Sequence, residues 1–368
     1  MKVALGTRVL GSLAASATLA TVLTMASPAA AETDFAGQRI EMIIPFSEGG
    51  GTDTWARIIA PYLAKHLPGS PTLVLRNLPG GGSITGSNSF EQRAKPDGKT
   101  ILALSTSLSL SYVLNPSDPR IKFKAENWIP VMSSPVGSMV YASAGQGIKD
   151  AASLKNVASK QELRIGVSNA TGSDIRTLLS LEMLGINIKP VFGLDGGKAQ
   201  LAFERGEVHV GRDTSGGYLL MMKPLVDQGK ATPIFTFGFL GDNGQIVRDP
   251  TFPNVPHFLE LYRTIQGKDP SGPEMAAWMS FFHIGVMNSK QLVLPARTPP
   301  DVLAAYDKAA KAMLADPQFQ AAAKAEIGDY QQLIGDKARA SLKAALTMTP
   351  ETRKWVAEWL KAKYNADL

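Results

Sequence analysis

Apolar and polar positions change period repeatedly along the chain, and the changes mark out elements. From Arg39 to Phe46 the run containing Ile40, Met42, Ile43 and Ile44 predicts a strand, ended by Ser47-Glu48-Gly49-Gly50-Gly51. Trp55, Ile58, Ile59, Tyr62 and Leu63 then fall at the spacing of one helical face. A second strand over Thr72–Leu75 runs into Pro79-Gly80-Gly81-Gly82. After the turn Pro96-Asp97-Gly98 a third strand covers Thr100–Leu104. Strand, helix, strand, helix, strand is the α/β order.

The pattern then restarts. Leu163–Val167 predicts a strand, Asn169–Ser173 a polar loop and Ile175–Leu184 a helix. Ile188–Phe192 is a further strand, Asp195-Gly196-Gly197 opens a helix, and Val208 with Val210 and then Thr232–Phe237 give two more strands. Two α/β lobes thus follow one another. From Thr298-Pro299-Pro300 onward the chain reads as helical: Val302, Leu303, Tyr306, Ala310, Met313 and Leu314 keep the helical period. A last helix starts at Thr349-Pro350 with an apolar face of Trp355, Val356, Trp359 and Leu360. The first lobe is the expected packing partner of this terminal block.

Composition narrows the class. Of 368 residues, 44% are hydrophobic and 19% charged, which excludes disordered, collagen-like and multi-span membrane chains. The absence of cysteine removes disulfides, thiolate metal sites and thiol nucleophiles, and four scattered histidines (His66, His209, His257, His283) nominate no metal or catalytic site. No metal or cofactor is expected. The formal charge of +6 is not gathered into a basic run, so nucleic acid is not an expected partner. Residues 1–31 read as a Sec-type secretory signal: Lys2 and Arg8, an alanine-rich apolar stretch from Val9 to Met25, and Ala29-Ala30-Ala31 before the cleavage point. The mature protein is expected in the periplasm, with a charge of +4 after two cations are removed.

Candidate chemistry lies in the strand-to-helix loops. In Pro45-Phe46-Ser47-Glu48-Gly49-Gly50-Gly51-Thr52-Asp53-Thr54, glycines admit a ligand close to the backbone, and the free N–H groups of the next helix point into the same space. Such a loop suits an anion. Ser168-Asn169-Ala170-Thr171-Gly172-Ser173-Asp174 repeats the device with hydroxyls, although Thr52, Asp53, Ser173 and Asp174 also suit plain helix capping. Gly193-Leu194-Asp195-Gly196-Gly197-Lys198-Ala199 is one residue short of a phosphate-binding loop and has Ala199 where a hydroxyl would hold magnesium. No G-x-S-x-G or H-E-x-x-H motif occurs. These motifs nominate no catalytic group, and a Ser/His/Asp triad stays open on the residues alone.

Pro45-Phe46-Ser47-x-Gly49-Gly50-Gly51-Thr52-Asp53, Arg76-Asn77-x-Pro79-Gly80-Gly81-Gly82-Ser83, Lys95-Pro96-Asp97-Gly98-x-Thr100 and Gly206-Glu207-Val208, in that order behind a secretory signal, resemble the Bug-type extracytoplasmic solute receptors of tripartite tricarboxylate transporters. The resemblance covers essentially the whole mature chain, strongest over Ile40–Leu104 and moderate over Arg164–Thr236; Gly238–Met279 fits it poorly and is longer than usual. It implies a two-domain α/β fold of the type II periplasmic binding protein (Venus-flytrap) class, with a central sheet flanked by helices in each lobe. The expected layout is lobe 1 over 32–134 and 276–368, and lobe 2 over 135–275. The implied function is capture of a small carboxylate, a di- or tricarboxylate or an aromatic acid, and its delivery by a monomeric receptor to membrane permease subunits.

Carried over by position, the resemblance implies first-lobe contacts at Phe46, Ser47, Gly50, Gly51, Thr52, Asp53, Ser105 and Thr106. It implies second-lobe contacts at Ser168, Asn169, Thr171, Gly172, Ser173, Asp174, Gly197 and Asp213. Two residues depart from the family pattern. Glu48 repels an anion unless it faces solvent or a base, and Arg212 either grips a second carboxylate or neutralises Asp213. A secreted α/β hydrolase, or a binding protein that feeds a sensor kinase, are the alternatives.

Overall fold

Strand β1 (Arg39–Ile44) is buried along most of its length and pairs in parallel with both β2 (Thr72–Asn77) and β3 (Thr100–Ser105). Helices Gly51–His66 and Ile84–Arg93 make the crossovers, so the first three predicted strands stand as expected. The computed structural model describes residues 33–49, 51–194 and 196–368, with Met1, Lys2, Ala4 and Gly6. Apart from those four, the expected signal segment 1–31 lies outside the described residues, as do Gly50 and Asp195.

After helix Thr106–Leu114, β4 (Ile129–Ser134) adds to the first sheet, and three residues later β5 (Ser138–Ser143) begins a second one. There β6 (Arg164–Val167), β7 (Lys189–Phe192) and β8 (Val210–Thr214) form a parallel set, while β5 runs antiparallel between β8 and β9 (Ala231–Thr236). A small hairpin, β10 (Phe239–Leu240) with β11 (Ile246–Val247), and helices Phe258–Gln266 and Gly272–Phe282 lead to a wide helical turn, His283–Met287. The chain then re-enters the first sheet as β12 (Lys290–Leu294), antiparallel between β3 and β4, with β13 (Leu333–Ile334) at the edge. The spatial orders are β13-β4-β12-β3-β1-β2 and β7-β6-β8-β5-β9.

The antiparallel strands β4, β5 and β12 are additions to the sequence reading. Pro130, Pro135 and Gly137 interrupt the β signal there, and tertiary pairing overrides them. The C-terminal block divides between the sheets. Helices Pro300–Ala315 and Pro317–Ile327 cover helix Gly51–His66 around Phe35, Trp55 and Tyr306. The last helix, Pro350–Tyr364, instead buries Val356, Trp359 and Leu360 in the cluster that holds Leu178, Leu181, Ala277 and Phe281, and Trp359 Nε1 donates to Glu182 at 2.8 Å. This corrects the expectation that it packs on the first lobe. Its aromatic face matches the apolar helices of the second sheet, while Arg353 ties its start to the Val113 carbonyl at 2.7 Å.

A buried polar knot joins the sheets beside the first crossing. Tyr330, between helix Pro317–Ile327 and β13, donates to both oxygens of Asp249 at 2.7 and 2.8 Å and is bonded to Ser215, which follows β8. Gly137 passes so close that a Cβ there would lie 2.0 Å from the Asp249 carboxylate, which requires glycine. Asp249 is wholly buried, and burial pushes its carboxyl up to about 6. Because the folded form holds this proton more tightly than the unfolded chain, Asp249 lowers stability as pH rises through about 4 to 6, by up to about 3 kcal/mol. Asp249→Asn removes that dependence. Denaturant unfolding at pH 4 and pH 7 should show the wild type losing stability relative to the variant by about 1–3 kcal/mol; parallel pH profiles would refute this.

Candidate functional site

The loop after β1 is held from within. Asp53, 1% exposed in the first turn of helix Gly51–His66, accepts from the Gly49 N–H at 2.9 Å, Arg57 Nε at 2.7 Å and Asn77 Nδ2 at 2.9 Å. The Arg57 hydrogen bond holds the carboxyl down at about 2, against the effect of its burial. Asn77 also donates to the Phe46 carbonyl at 3.0 Å, which ties down the backbone just past the end of the strand. Glu48 is turned to solvent, its side chain 78% exposed with Arg57 4.0 Å away, so the departure at this position leaves the cleft unaffected.

The second loop is built the same way. Asp174 accepts from the Ser168 N–H and hydroxyl at 3.0 and 3.1 Å, and Asn169 Oδ1 accepts from the Thr171 N–H at 3.1 Å. Arg212, on β8, pairs with Asp174 at 2.5 Å and reaches the Ser173 hydroxyl at 3.2 Å. Burial alone would raise the Asp174 carboxyl, but Arg212 outweighs it and holds Asp174 low. Asp213, which faces the other way, accepts from the Tyr141 hydroxyl at 2.6 Å and Gln200 Nε2 at 3.0 Å, and burial pushes it up. Arg212 therefore neutralises Asp174, not Asp213.

Between the two loops lies a cavity of about 160 Å³. Phe46, Gly51, Thr52, Ser105 and Thr106 line it from the first sheet, and Ser173 and Arg212 from the second, all of them expected. Ser47, Asp53, Ser168, Asn169, Thr171, Gly172, Asp174, Gly197 and Asp213 are not among its lining residues, and Gly50 lies outside the described residues. Asp53, Ser168, Asn169 and Asp174 shape the loops instead, and Gly197 is exposed.

The sequence reading did not nominate Ser107, Ser138, Arg176, Thr214, Gly285, Ser289 or Lys290, which complete the lining. Ser138, Gly285, Ser289 and Lys290 come from the two crossings, which only the antiparallel strands bring to the cleft. Arg176 shares a narrow polar side of its helix with Thr177 and Ser180, opposite Ile175, Leu178, Leu179 and Leu181, and all of these residues are buried. The described residues contain no cluster of metal-ligating side chains and no helix long and apolar enough to cross a membrane.

No protein-family model matches the chain. It is 37% identical over 108 residues to Protein BugT of Bordetella pertussis, covering 29% of this chain and 32% of that protein. A UPF0065 protein from the tcbD-tcbE intergenic region of a Pseudomonas species is 26% identical over 175 residues, 46% of this chain and 50% of that one. These alignments therefore span a third to a half of the curated relatives. The fold matches a TctC solute-binding protein from Polaromonas with TM-score 0.64 at 18% identity, over 88% of this chain and 98% of that one. It matches MatC from Rhodopseudomonas palustris with bound malate (TM-score 0.57, 19% identity, 87% and 97% covered) and R. palustris Rpa4515 with adipate (0.61, 19%, 87% and 96%). By sequence the chain is a relative of BugT and the UPF0065 proteins, and its fold is the two-lobed α/β fold of the TctC-type periplasmic binding proteins.

Proposed function

We propose that this chain is a periplasmic solute receptor that closes its two lobes on a small organic carboxylate and delivers it to the membrane subunits of a tripartite tricarboxylate-type transporter. The observation that carries the reading is the chemistry of the cleft. Arg176, Arg212 and Lys290 line the cavity with eight serine and threonine residues, and none of its lining residues is acidic. A lining of guanidinium, ammonium and hydroxyl donors that contains no acidic side chain suits an anion. About 160 Å³ is close to the size of cavity that takes up a six-carbon molecule. Malate and adipate in the two R. palustris proteins support the same ligand class.

In this reading lobe 1 is 32–134 with 276–368, lobe 2 is 135–275, the last helix of the lobe 1 segment reaches over to the helices of the second sheet, and the crossings form the hinge of a monomeric receptor. The protein acts by binding and release, with no chemistry on the ligand. Phe46 packs on the ligand's carbon body, while Gly51, Thr52, Ser105 and Thr106 present donors from the first lobe.

A thermal-shift panel of mono-, di- and tricarboxylates, aromatic acids and amino acids tests this. At one hundred times its dissociation constant a true ligand adds about 2.7 kcal/mol, a rise of several degrees; the absence of any shift with every acid would end the reading. The loop that presents the first-lobe donors depends on Asp53, whose low pKa stabilises the fold above about pH 4 and ceases to do so as pH falls through about 4 to 2. Asp53→Asn should cost about 1–2 kcal/mol at pH 7, discounted for the solvent at Arg57, with the cost fading toward pH 2 in denaturant titrations.

A further inference from the structure

Arg176 is 3% exposed, yet it lines the cleft. Its Nη2 donates to the Ser138 hydroxyl at 3.3 Å, and the guanidinium carbon stands 4.0 Å over the Phe237 ring. Nε and Nη1 are buried with no protein acceptor, and no carboxylate is bonded to the side chain. Burial, with the Arg212 charge beside it, pushes the guanidinium down to about 9 against the weaker attraction of Asp174, which still leaves it cationic at neutral pH. Arg212 differs, since Asp174 already neutralises it.

The backbone is shaped around this charge. In the wide turn His283–Met287, a Cβ at Gly285 would lie 2.0 Å from Arg176 Nη1, so any side chain there would displace the guanidinium. Ser138 and Gly285 belong to the outward and returning chain passes, so Arg176 touches both. On the opposite wall, the starts of helices Gly51–His66 and Thr106–Leu114 face the same cavity through Gly51, Thr52, Thr106 and Ser107. Those helix ends form one anion pole and Arg176 another.

Resting on the receptor reading above, we propose that Arg176 grips a second carboxylate of the ligand, so that the site selects doubly charged organic acids over singly charged ones of the same length. An uncompensated buried guanidinium is costly, and a bidentate carboxylate at Nε and the Nη atoms removes that cost.

The test is titration calorimetry with the matched pairs succinate and butyrate, glutarate and pentanoate, and adipate and hexanoate. In the wild type at least one diacid should bind about tenfold or more tightly than its partner, about 1.4 kcal/mol. Arg176→Met should bring that ratio below about threefold, and Arg176→Lys should keep it above that value. The ligand-free melting temperature of Arg176→Met should equal or exceed that of the wild type, because removing an unpaired buried charge relieves strain on the fold. Equal binding of mono- and diacids by the wild type, a ratio that survives in Arg176→Met, or an Arg176→Met protein that melts far lower would each overturn the assignment. Failure of every acid to bind would instead overturn the receptor reading on which it rests.

Discussion

Val136 donates its N–H to the Val286 carbonyl at 3.0 Å, which joins the outward pass of the chain between the sheets to its return. Near this bond, Asn288 accepts from Ser133 at 3.2 Å and from Gln291, and donates to the carbonyls of His283 at 3.1 Å and Ser341 at 2.9 Å. Asn288 and Gln291 are each 1% exposed, so losing one partner would leave a desolvated donor or acceptor at a cost of about 1–3 kcal/mol. The two passes are thus one unit, and the Ser289 carbonyl binds that unit to the Thr106 N–H at 3.1 Å. Ser138, Ser289 and Lys290 belong both to this strip and to the cleft wall. In the proposed receptor this strip is the hinge, so hinge and binding surface would share residues and a rotation about the strip would alter the cleft directly.

The electrostatics of the second sheet follow from how its charges are partnered. Asp174 has Arg212 and Ser168, and Asp213 has Tyr141 and Gln200; each buried carboxylate is satisfied within the protein. Arg176 has an aromatic face and one serine. Its position is nevertheless rigid: its own carbonyl accepts from Ser180, whose oxygen in turn accepts from Trp278 Nε1 at 2.8 Å, and Trp278 is stacked between Phe258 and Phe282 at 4.6 and 5.5 Å. A dense aromatic stack on one side and the glycine of a wide helical turn on the other fix a charge in place without neutralising it. That combination is what the proposed ligand contact at Arg176 requires, because a structural ion pair carries its counter-charge with it.

The parallel halves of both sheets were legible because each strand is a short apolar run with a glycine- or hydroxyl-rich turn after it, and those turns occur where strand ends meet the cleft. Phe46, Gly51, Thr52 and Ser173 were found for that reason, and Arg212 as a departure from the family pattern. The same turn chemistry blurred function with support: a carboxylate or amide in a tight loop bonds its own backbone, as Asp53, Asn169 and Asp174 do, and sequence spacing alone does not separate that use from ligand contact. The crossings were illegible because proline, glycine and serine occupy strand positions in 129–143, and because β12 enters the first sheet from far along the chain. Arg176 was illegible because its burial depends on the returning chain pass at Gly285, more than a hundred residues away in sequence.

If the chain is the lobe-closing receptor proposed above, the buried Arg176 cation also bears on the energetics of its open and closed forms. With the lobes apart, water reaches the guanidinium and most of its hydration is kept; with the lobes together and no counter-charge, that hydration is lost with nothing in exchange. Closure on a neutral solute therefore carries the full desolvation penalty of Arg176, whereas closure on an anion converts the same burial into a charge-assisted bond in a medium of low dielectric. The difference between those two outcomes acts on the hinge itself, since Ser138 and Gly285 lie on both sides of the charge. Discrimination against uncharged solutes then arises from the closing equilibrium as much as from contacts in the closed cleft.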